Sequence, residues 1–170
     1  MTQTDTQERA DLLETLDKHR FFLRHTLREL TDEQARQRST ASALTLGGLV
    51  RHVTATERMW ANFISQGPSA IGNWQDTDVA AYANQFEMTE QETIQSLLVQ
   101  YAEAATGTDE LVRSLDNLDA GHPLPEAPWF APGTTWSARR VLLHIIAETA
   151  QHAGHADIIR ESLDGAKSMG

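Results

Sequence analysis

Apolar residues recur at the spacing of helix turns along two long stretches in the first half of the chain. The first predicts a helix over residues 6–30. The second predicts a helix over residues 45–66, which the Gly-Pro pair at 67–68 ends. The first helix presents a leucine stripe with heptad-like spacing, made of Leu12, Leu16, Leu23, Leu27 and Leu30.

Two further helical stretches follow in the second half. The third helix is expected to begin at a capping box formed by Thr89 and Glu92. The fourth is expected to start near Thr135 or Ser137 and to end near Gly165. A similar box over residues 31–34 predicts a short turn of helix after the first long one.

The connections between these helices differ in length. Residues 36–44 predict a loop, and residues 67–88 predict a long, partly helical connection that includes the apolar segment 79–82. Residues 121–133 carry four prolines, so this segment is neither a helix nor a central strand, and its Trp129 and Phe130 could line the mouth of a pocket. Without a long alternating pattern, the chain is predicted to be all-α, a four-helix bundle in one domain over residues 1–170.

The fourth helix interrupts its own apolar stripe with ionisable residues. Apolar positions lie at both ends of the stripe, and Glu148, His152 and His155 occupy its middle. Burying an unpaired carboxylate costs several kcal/mol, so it must be neutralised, paired or bound to a metal ion. Three such positions in one stripe therefore indicate a chemical role.

Composition narrows the classes of function. The chain has no cysteine, which excludes disulfides, thiolate metal sites and a cysteine nucleophile, so any thiol chemistry needs an external thiol. The net charge is −10, without a Lys/Arg cluster, which argues against a nucleic-acid partner. No apolar run is long enough to span a membrane and no signal peptide is recognisable, so a cytoplasmic protein is expected.

Helical spacing makes part of a metal site predictable. Glu148 and His152 are four residues apart and share a helix face, so one helix offers two ligands and a third must come from elsewhere. His52, early in the second helix and flanked by Leu49 and Val53, is the best candidate for the third. By spacing alone, a buried carboxylate–imidazole pair that stabilises packing explains Glu148 and His152 about as well.

Three further histidines are not candidate ligands, and several known metal and catalytic motifs are absent. His19, His25 and His122 are interpreted as structural residues, with His122 solvated in its loop. The chain lacks the His-Glu-x-x-His motif of zincins and the paired Glu-x-x-His motifs of ferritin-like di-iron proteins. It also lacks a P-loop, a dinucleotide-binding glycine motif and a Gly-x-Ser-x-Gly elbow.

Three segments resemble the DinB-like superfamily. Leu46-Gly-Gly-Leu-Val-Arg-His52, followed by Glu57-Arg-Met-Trp60, resembles its second helix, and the segment from Leu143 to Asp157 resembles its fourth. Residues 30–36 also fit, so the match covers nearly the whole chain in order. The resemblance implies an up-down-down-up four-helix bundle whose long connections cross over.

The resemblance also implies a divalent metal ion held by His52, Glu148 and His152. A glutamate at position 148 is similar to the mycothiol-dependent maleylpyruvate isomerase branch, whereas many members have histidine there. The common pattern His-Arg-Gly-Gln reads His152-Ala-Gly-His155 here. His155 could therefore be a fourth ligand, a partner of a ligand, or a catalytic residue that orients substrate or moves a proton.

Characterised relatives use low-molecular-weight thiols such as mycothiol or bacillithiol, so the resemblance implies an S-transferase or isomerase acting on a small thiol and an electrophile. Two nitrogen ligands and one carboxylate suit Zn first, with Ni or Fe(II) also compatible. Two other classes stay open, namely a metal-dependent hydrolase and a non-catalytic metal-binding or stress-response module. Relatives often pair through helix faces, so the resemblance allows a homodimer, which the sequence itself does not show.

Overall fold

A computed structural model describes residues 3–72 and 84–168, and most of these residues are helical. The prediction of an all-α protein is confirmed in this respect. No helix in the described part is long and apolar enough to cross a membrane. The helices are α1 (Gln3–His25), α2 (Asp32–Arg36), α3 (Leu46–Gln66), α4 (Ile94–Ser114) and α5 (Ala138–Asp164), with a 3-10 turn over Gly67–Ala70.

Local capping explains where three of the helices begin. The predicted box before α2 is present, because the Thr31 hydroxyl accepts from the Gln34 N–H and the Gln34 side chain accepts from the Thr31 N–H. Thr45 caps α3 by accepting from a backbone N–H in its first turn, and Ser137 does the same for α5. At its other end, α5 stops at Gly165, whose φ of 79° is left-handed.

Two predicted helix boundaries are wrong. The first helix ends at His25 rather than near residue 30, and a series of turns with Glu29 in the left-handed region follows it. The third helix starts after Thr93, not at Thr89, because Thr93 has an extended backbone and forms its own capping box with Ser96. At the predicted box, the Thr89 N–H donates to the Glu92 carboxylate within a non-helical turn.

Two short strands that the sequence analysis did not predict lie at the two ends of the proline-rich connection. Strand β1 (Gly121–Pro123) pairs antiparallel with β2 (Thr135–Ser137), and three residues are too few to produce a recognisable alternating pattern. His122 is half-buried rather than fully solvated, and its Nε2 lies 3.1 Å from the carbonyl oxygen of Ile64 in α3. The predicted apolar segment at 79–82 lies outside the described residues.

Side-chain contacts at both ends show that α1 and α5 run in the same direction. Arg139 at the start of α5 pairs with Glu8 near the start of α1. At the other end, the Arg160 guanidinium donates to the carbonyl oxygen of Thr26, just beyond α1, at 2.7 Å. These contacts align the two helices along their whole length.

Helices α3 and α4 also run in the same direction as each other. Arg51 of α3 pairs with Glu92 just before α4. Further along both helices, Arg58 pairs with Glu103. Helix α5 packs antiparallel against α3, so the fourth of the four long helices lies beside the second. The last neighbouring pair is α1 with α4.

Polar side chains from all four long helices lie between two apolar clusters in two groups, one around Arg20 and one around Glu148, and we call them the polar layer. Its members are Arg20, His52, Glu57, Asp109, Glu148 and His152. On one side lies a cluster that includes Leu23, Val53, Leu97 and Ile159. On the other side lies a cluster that includes Leu16, Trp60, Val112 and Val141. The apolar stripe of every long helix is therefore interrupted at the same level.

Two glycines let the start of α3 approach the segment after residue 83. A Cβ atom added at Gly48 would lie 1.6 Å from the backbone oxygen of Phe86, and one at Gly47 would lie 2.3 Å from the sulfur of Met88. We expect Gly48→Ala to destabilise the protein by about 1–3 kcal/mol or more, because a backbone carbonyl cannot move aside as a flexible side chain can. Urea unfolding measures this change.

The matched control is Gly107→Ala in α4, where a Cβ atom meets nothing within 4 Å. This substitution should stabilise the protein by about 0.5–1 kcal/mol, because alanine is the better helix former. Equal effects of the two substitutions would contradict the close approach at Gly48.

Candidate metal centre

His52 from α3 and Glu148 and His152 from α5 bring their side-chain ends together. One nitrogen or oxygen atom from each residue lies within 4.8 Å of the others. Glu148 Oε2 is 3.5 Å from His152 Nε2 and 3.9 Å from His52 Nε2. The antiparallel packing of α3 on α5 creates this convergence, and we call the three residues the triad.

The triad is largely shielded from solvent. Both histidines are buried, and 29% of the Glu148 side chain is exposed. The neighbouring imidazoles of His152 and His52 hold the pKa of Glu148 well below its usual range, although burial opposes this shift. Since the folded-state pKa is lowered, the ionised carboxylate stabilises the fold at neutral pH, and this contribution is lost as the pH falls through the acidic range.

The donor set fits a divalent cation. Ligand atoms about 2.0–2.2 Å from one ion in tetrahedral geometry lie roughly 3.3–3.6 Å apart. The two distances from Glu148 are at or slightly above this range, and all three ligand atoms lie within 4.8 Å of one another. Two neutral imidazole nitrogens and one anionic oxygen are a ligand set that Zn and other first-row metals accept.

The surroundings of His52 orient its ring. Phe86 stacks on the imidazole with a centroid distance of 4.1 Å, and the ring of His152 meets it edge-on at 4.9 Å. The Thr56 hydroxyl lies 3.5 Å from His52 Nε2, whereas the buried Nδ1 has no hydrogen-bond partner. Packing against Phe86, rather than a hydrogen bond at Nδ1, therefore directs Nε2 toward Glu148.

His155 lies next to the triad but is not one of its converging ligands. Its Nδ1 is 3.4 Å from Nδ1 of His152, on the ring nitrogen that does not face Glu148. If His152 offers the Nε2 lone pair to a cation, its Nδ1 carries the proton and donates to His155. With a cation bound at Nε2, this contact would let His155 orient His152.

A cavity of about 560 Å³ opens beside the triad. His52 and Glu148 line it, together with His144, which lies one turn before Glu148 on α5. Burial lowers the pKa of His144, and the rings of Trp60 and Trp136 contact its imidazole edge-on. We call this space the triad cavity, and its volume is that of a typical small-molecule site.

The structure adds residues to the site that the sequence analysis missed. Phe86 lies in a connection without periodicity, so no pattern marked it as a contact of His52. Outside the site, the sequence analysis also missed Glu57, although it stands in the apolar stripe of α3 between Val53 and Trp60 and pairs with Arg20. Trp129 and Phe130 line the triad cavity, in agreement with the prediction that they border a pocket.

Comparisons with known proteins identify a family and a similar fold. A family model described as Mycothiol-S-transferase matches residues 11–165. A crystal structure of a conserved protein from Enterococcus faecalis is similar in fold, with a TM-score of 0.67, 16% identity, and coverage of 98% of this chain and 99% of that one. No curated protein matches the chain. The predicted DinB-like resemblance is confirmed.

Proposed function

Because the chain belongs to the Mycothiol-S-transferase family, we propose that it is a metal-dependent S-transferase or isomerase that uses a low-molecular-weight thiol. The convergence of His52, Glu148 and His152 beside a cavity is the observation that carries this proposal. Three protein ligands leave at least one coordination position open, which is typical of catalytic rather than structural metal sites.

The residues of the site divide the chemistry among them. A divalent cation bound to the triad would supply Lewis-acid chemistry that favours the thiolate form of a neighbouring thiol. In the transfer, the thiol sulfur forms a bond to the electrophilic carbon, and the bond from that carbon to the leaving group breaks. The leaving group departs with the electron pair, and the thiol proton passes to solvent. Glu148 offsets the charge of the cation, and the cavity walls exclude bulk water from the reacting atoms.

The proposal includes the architecture around the site. The four long helices would form an up-down-down-up bundle in a single domain, which the parallel pairs α1–α5 and α3–α4 and the antiparallel pair α3–α5 support. Zn is the expected metal, with Ni or Fe(II) as alternatives that the same ligand set accepts. A homodimer and a cytoplasmic location stay predictions.

Turnover assays on metal-loaded protein test the function. We expect conversion of an electrophile to require both the metal and a small thiol, such as mycothiol, bacillithiol or cysteine. Thiol-independent hydrolysis of esters or amides would instead identify a metal-dependent hydrolase. Full metal occupancy with neither activity and no thiol binding would identify a non-catalytic module.

Replacing His155 tests whether it positions His152. We expect His155→Ala to weaken metal affinity by about 10–100-fold, because His152 loses the acceptor that holds its tautomer. His155→Gln should retain most of the affinity, since its amide oxygen can accept the same hydrogen bond. Competition with a chromogenic chelator measures both affinities.

Measuring kcat and metal affinity separately distinguishes a catalytic role of His155 from a positioning role. Lower activity in His155→Gln despite full metal loading would indicate direct participation in catalysis. Unchanged metal affinity in His155→Ala would contradict the positioning role.

A further inference from the structure

The triad cavity is lined largely by apolar and aromatic side chains. Met59, Trp60, Ile71, Pro125, Trp129 and Phe130 form most of this surface. Thr56, Gln85 and His144 supply the polar positions outside the triad. Such a surface removes water from an apolar ligand and thereby favours its binding.

Charged side chains are nearly absent from this wall. Among the described residues that line the cavity, Glu148 is the one carboxylate, and none is lysine, arginine or aspartate. The nearby guanidinium of Arg140 is 4.1 Å from the ring centre of Trp136 and does not line the cavity. An anionic group lying against this wall would therefore have no cationic side chain as its partner and would lose its hydration.

Aromatic rings continue from the cavity wall to the surface. Trp60 stacks on Trp136, which contacts Phe130 edge-on, and Phe130 in turn contacts Trp129 at 6.0 Å. Trp129 is 58% exposed. Large exposed aromatic side chains that border a cavity usually contact a ligand, so this position is typical of a recognition residue. The loop that carries it, between β1 and β2, contains Pro125, Pro128 and Pro132, which restrict its backbone.

We propose that this wall is the subsite for the electrophile, that it binds uncharged aromatic or extended apolar compounds, and that Trp129 is a specificity-determining residue. The assignment rests on the proposed function, in which the thiol sulfur occupies the triad end of the cavity. The electrophile is then left with the apolar wall, where an extended ring system can lie against Trp60 and Trp129.

Two matched ligands test the subsite without any turnover. Binding of 1-naphthalenemethanol and of 1-naphthalenesulfonate to the metal-loaded protein is measured by calorimetry, because a sulfonate is an anion that coordinates a metal ion only weakly. We expect the neutral alcohol to bind at least about tenfold more tightly than the sulfonate. Trp129→Ala should weaken binding of the alcohol by about tenfold, whereas Trp129→Phe should retain most of it because a ring remains.

Phe21→Ala is the matched control, because Phe21 is a similarly exposed aromatic residue on α1 and is not among the cavity-lining residues. It should leave binding unchanged. Equal affinity for the two ligands, or an unchanged affinity in Trp129→Ala, would overturn the subsite. Thermal unfolding checks that the variants are folded.

Kinetics with 1-(chloromethyl)naphthalene separates the subsite from the function. Trp129→Ala should raise the KM for this electrophile by about tenfold and leave the KM for the thiol unchanged. If neither the wild type nor any variant transfers the thiol while the affinity for 1-naphthalenemethanol still depends on Trp129, the transferase proposal fails and the apolar subsite stands. If transfer occurs with a KM independent of Trp129, the subsite proposal fails and the function stands.

Discussion

Replacing Glu148 with glutamine is expected to reduce both bound metal and thiol transfer by at least about 100-fold. The substitution preserves the size of the side chain but removes the negative charge, and the amide is a poor ligand for a cation held by two imidazoles. His52→Ala and His152→Ala should have similar effects, because each removes one of three ligands that lie within 4.8 Å of one another. Metal analysis of the purified proteins, together with initial rates, measures the loss.

A control on the same helix separates this effect from a general loss of negative charge. Glu161 on α5 is exposed and pairs with Lys167 at 3.0 Å, so Glu161→Gln should leave metal content and rate unchanged. Metal at 100 times its Kd should also stabilise the wild type by about 2.7 kcal/mol and Glu148→Gln by much less. Full metal occupancy in all three triad variants would refute the assignment of these ligands.

Breaking the buried ion pair between Arg20 and Glu57 in the polar layer should strongly destabilise the protein. Arg20 is 1% exposed and Glu57 is 0% exposed. Two nitrogens of Arg20 donate to the two carboxylate oxygens of Glu57, and a third donates to Asp109 at 2.8 Å. We expect Arg20→Met to destabilise the protein by about 3–5 kcal/mol, because it leaves a carboxylate buried without its cation. Urea unfolding at neutral pH measures the difference.

A double-mutant cycle shows whether the lost pairing is the cause. Arg20→Met combined with Glu57→Leu should recover part of the loss, since both charges leave the interior together. Arg24→Met on the same helix is the control, because its pair with Asp17 spans 3.6 Å at the surface and should contribute less than about 1 kcal/mol. A double variant as unstable as the sum of the single ones would contradict the explanation.

Helix starts that depend on neighbouring residues could be predicted, whereas one that depends on a distant residue could not. The caps at Thr31, Thr45 and Ser137 act within three residues. Before α4 two threonines compete locally, and the N–H of Ile94 donates to the Asp32 carboxylate at 2.7 Å. This contact spans 62 residues and supports the later start, which no local pattern reveals.

The end of α1 illustrates the same limit. The leucine stripe continues through Leu27 and Leu30, so periodicity predicts a helix to residue 30. In the structure Leu27 is buried although it lies beyond the helix. Arg160, 132 and 134 residues away, donates to the carbonyl oxygens of Arg28 and Thr26 and thereby satisfies the backbone there.

Periodicity alone determined the four long helices and the shared face of Glu148 and His152, because both depend on residues within two turns. A position beside the apolar stripe of the second helix also marked His52 as a candidate. Tertiary packing alone decided that the Nε2 of His52 faces Glu148, that Phe86 stacks on His52, and that a cavity opens beside them. These features require helices and connections that are far apart in sequence to be set side by side, and helical spacing carries no information about that arrangement.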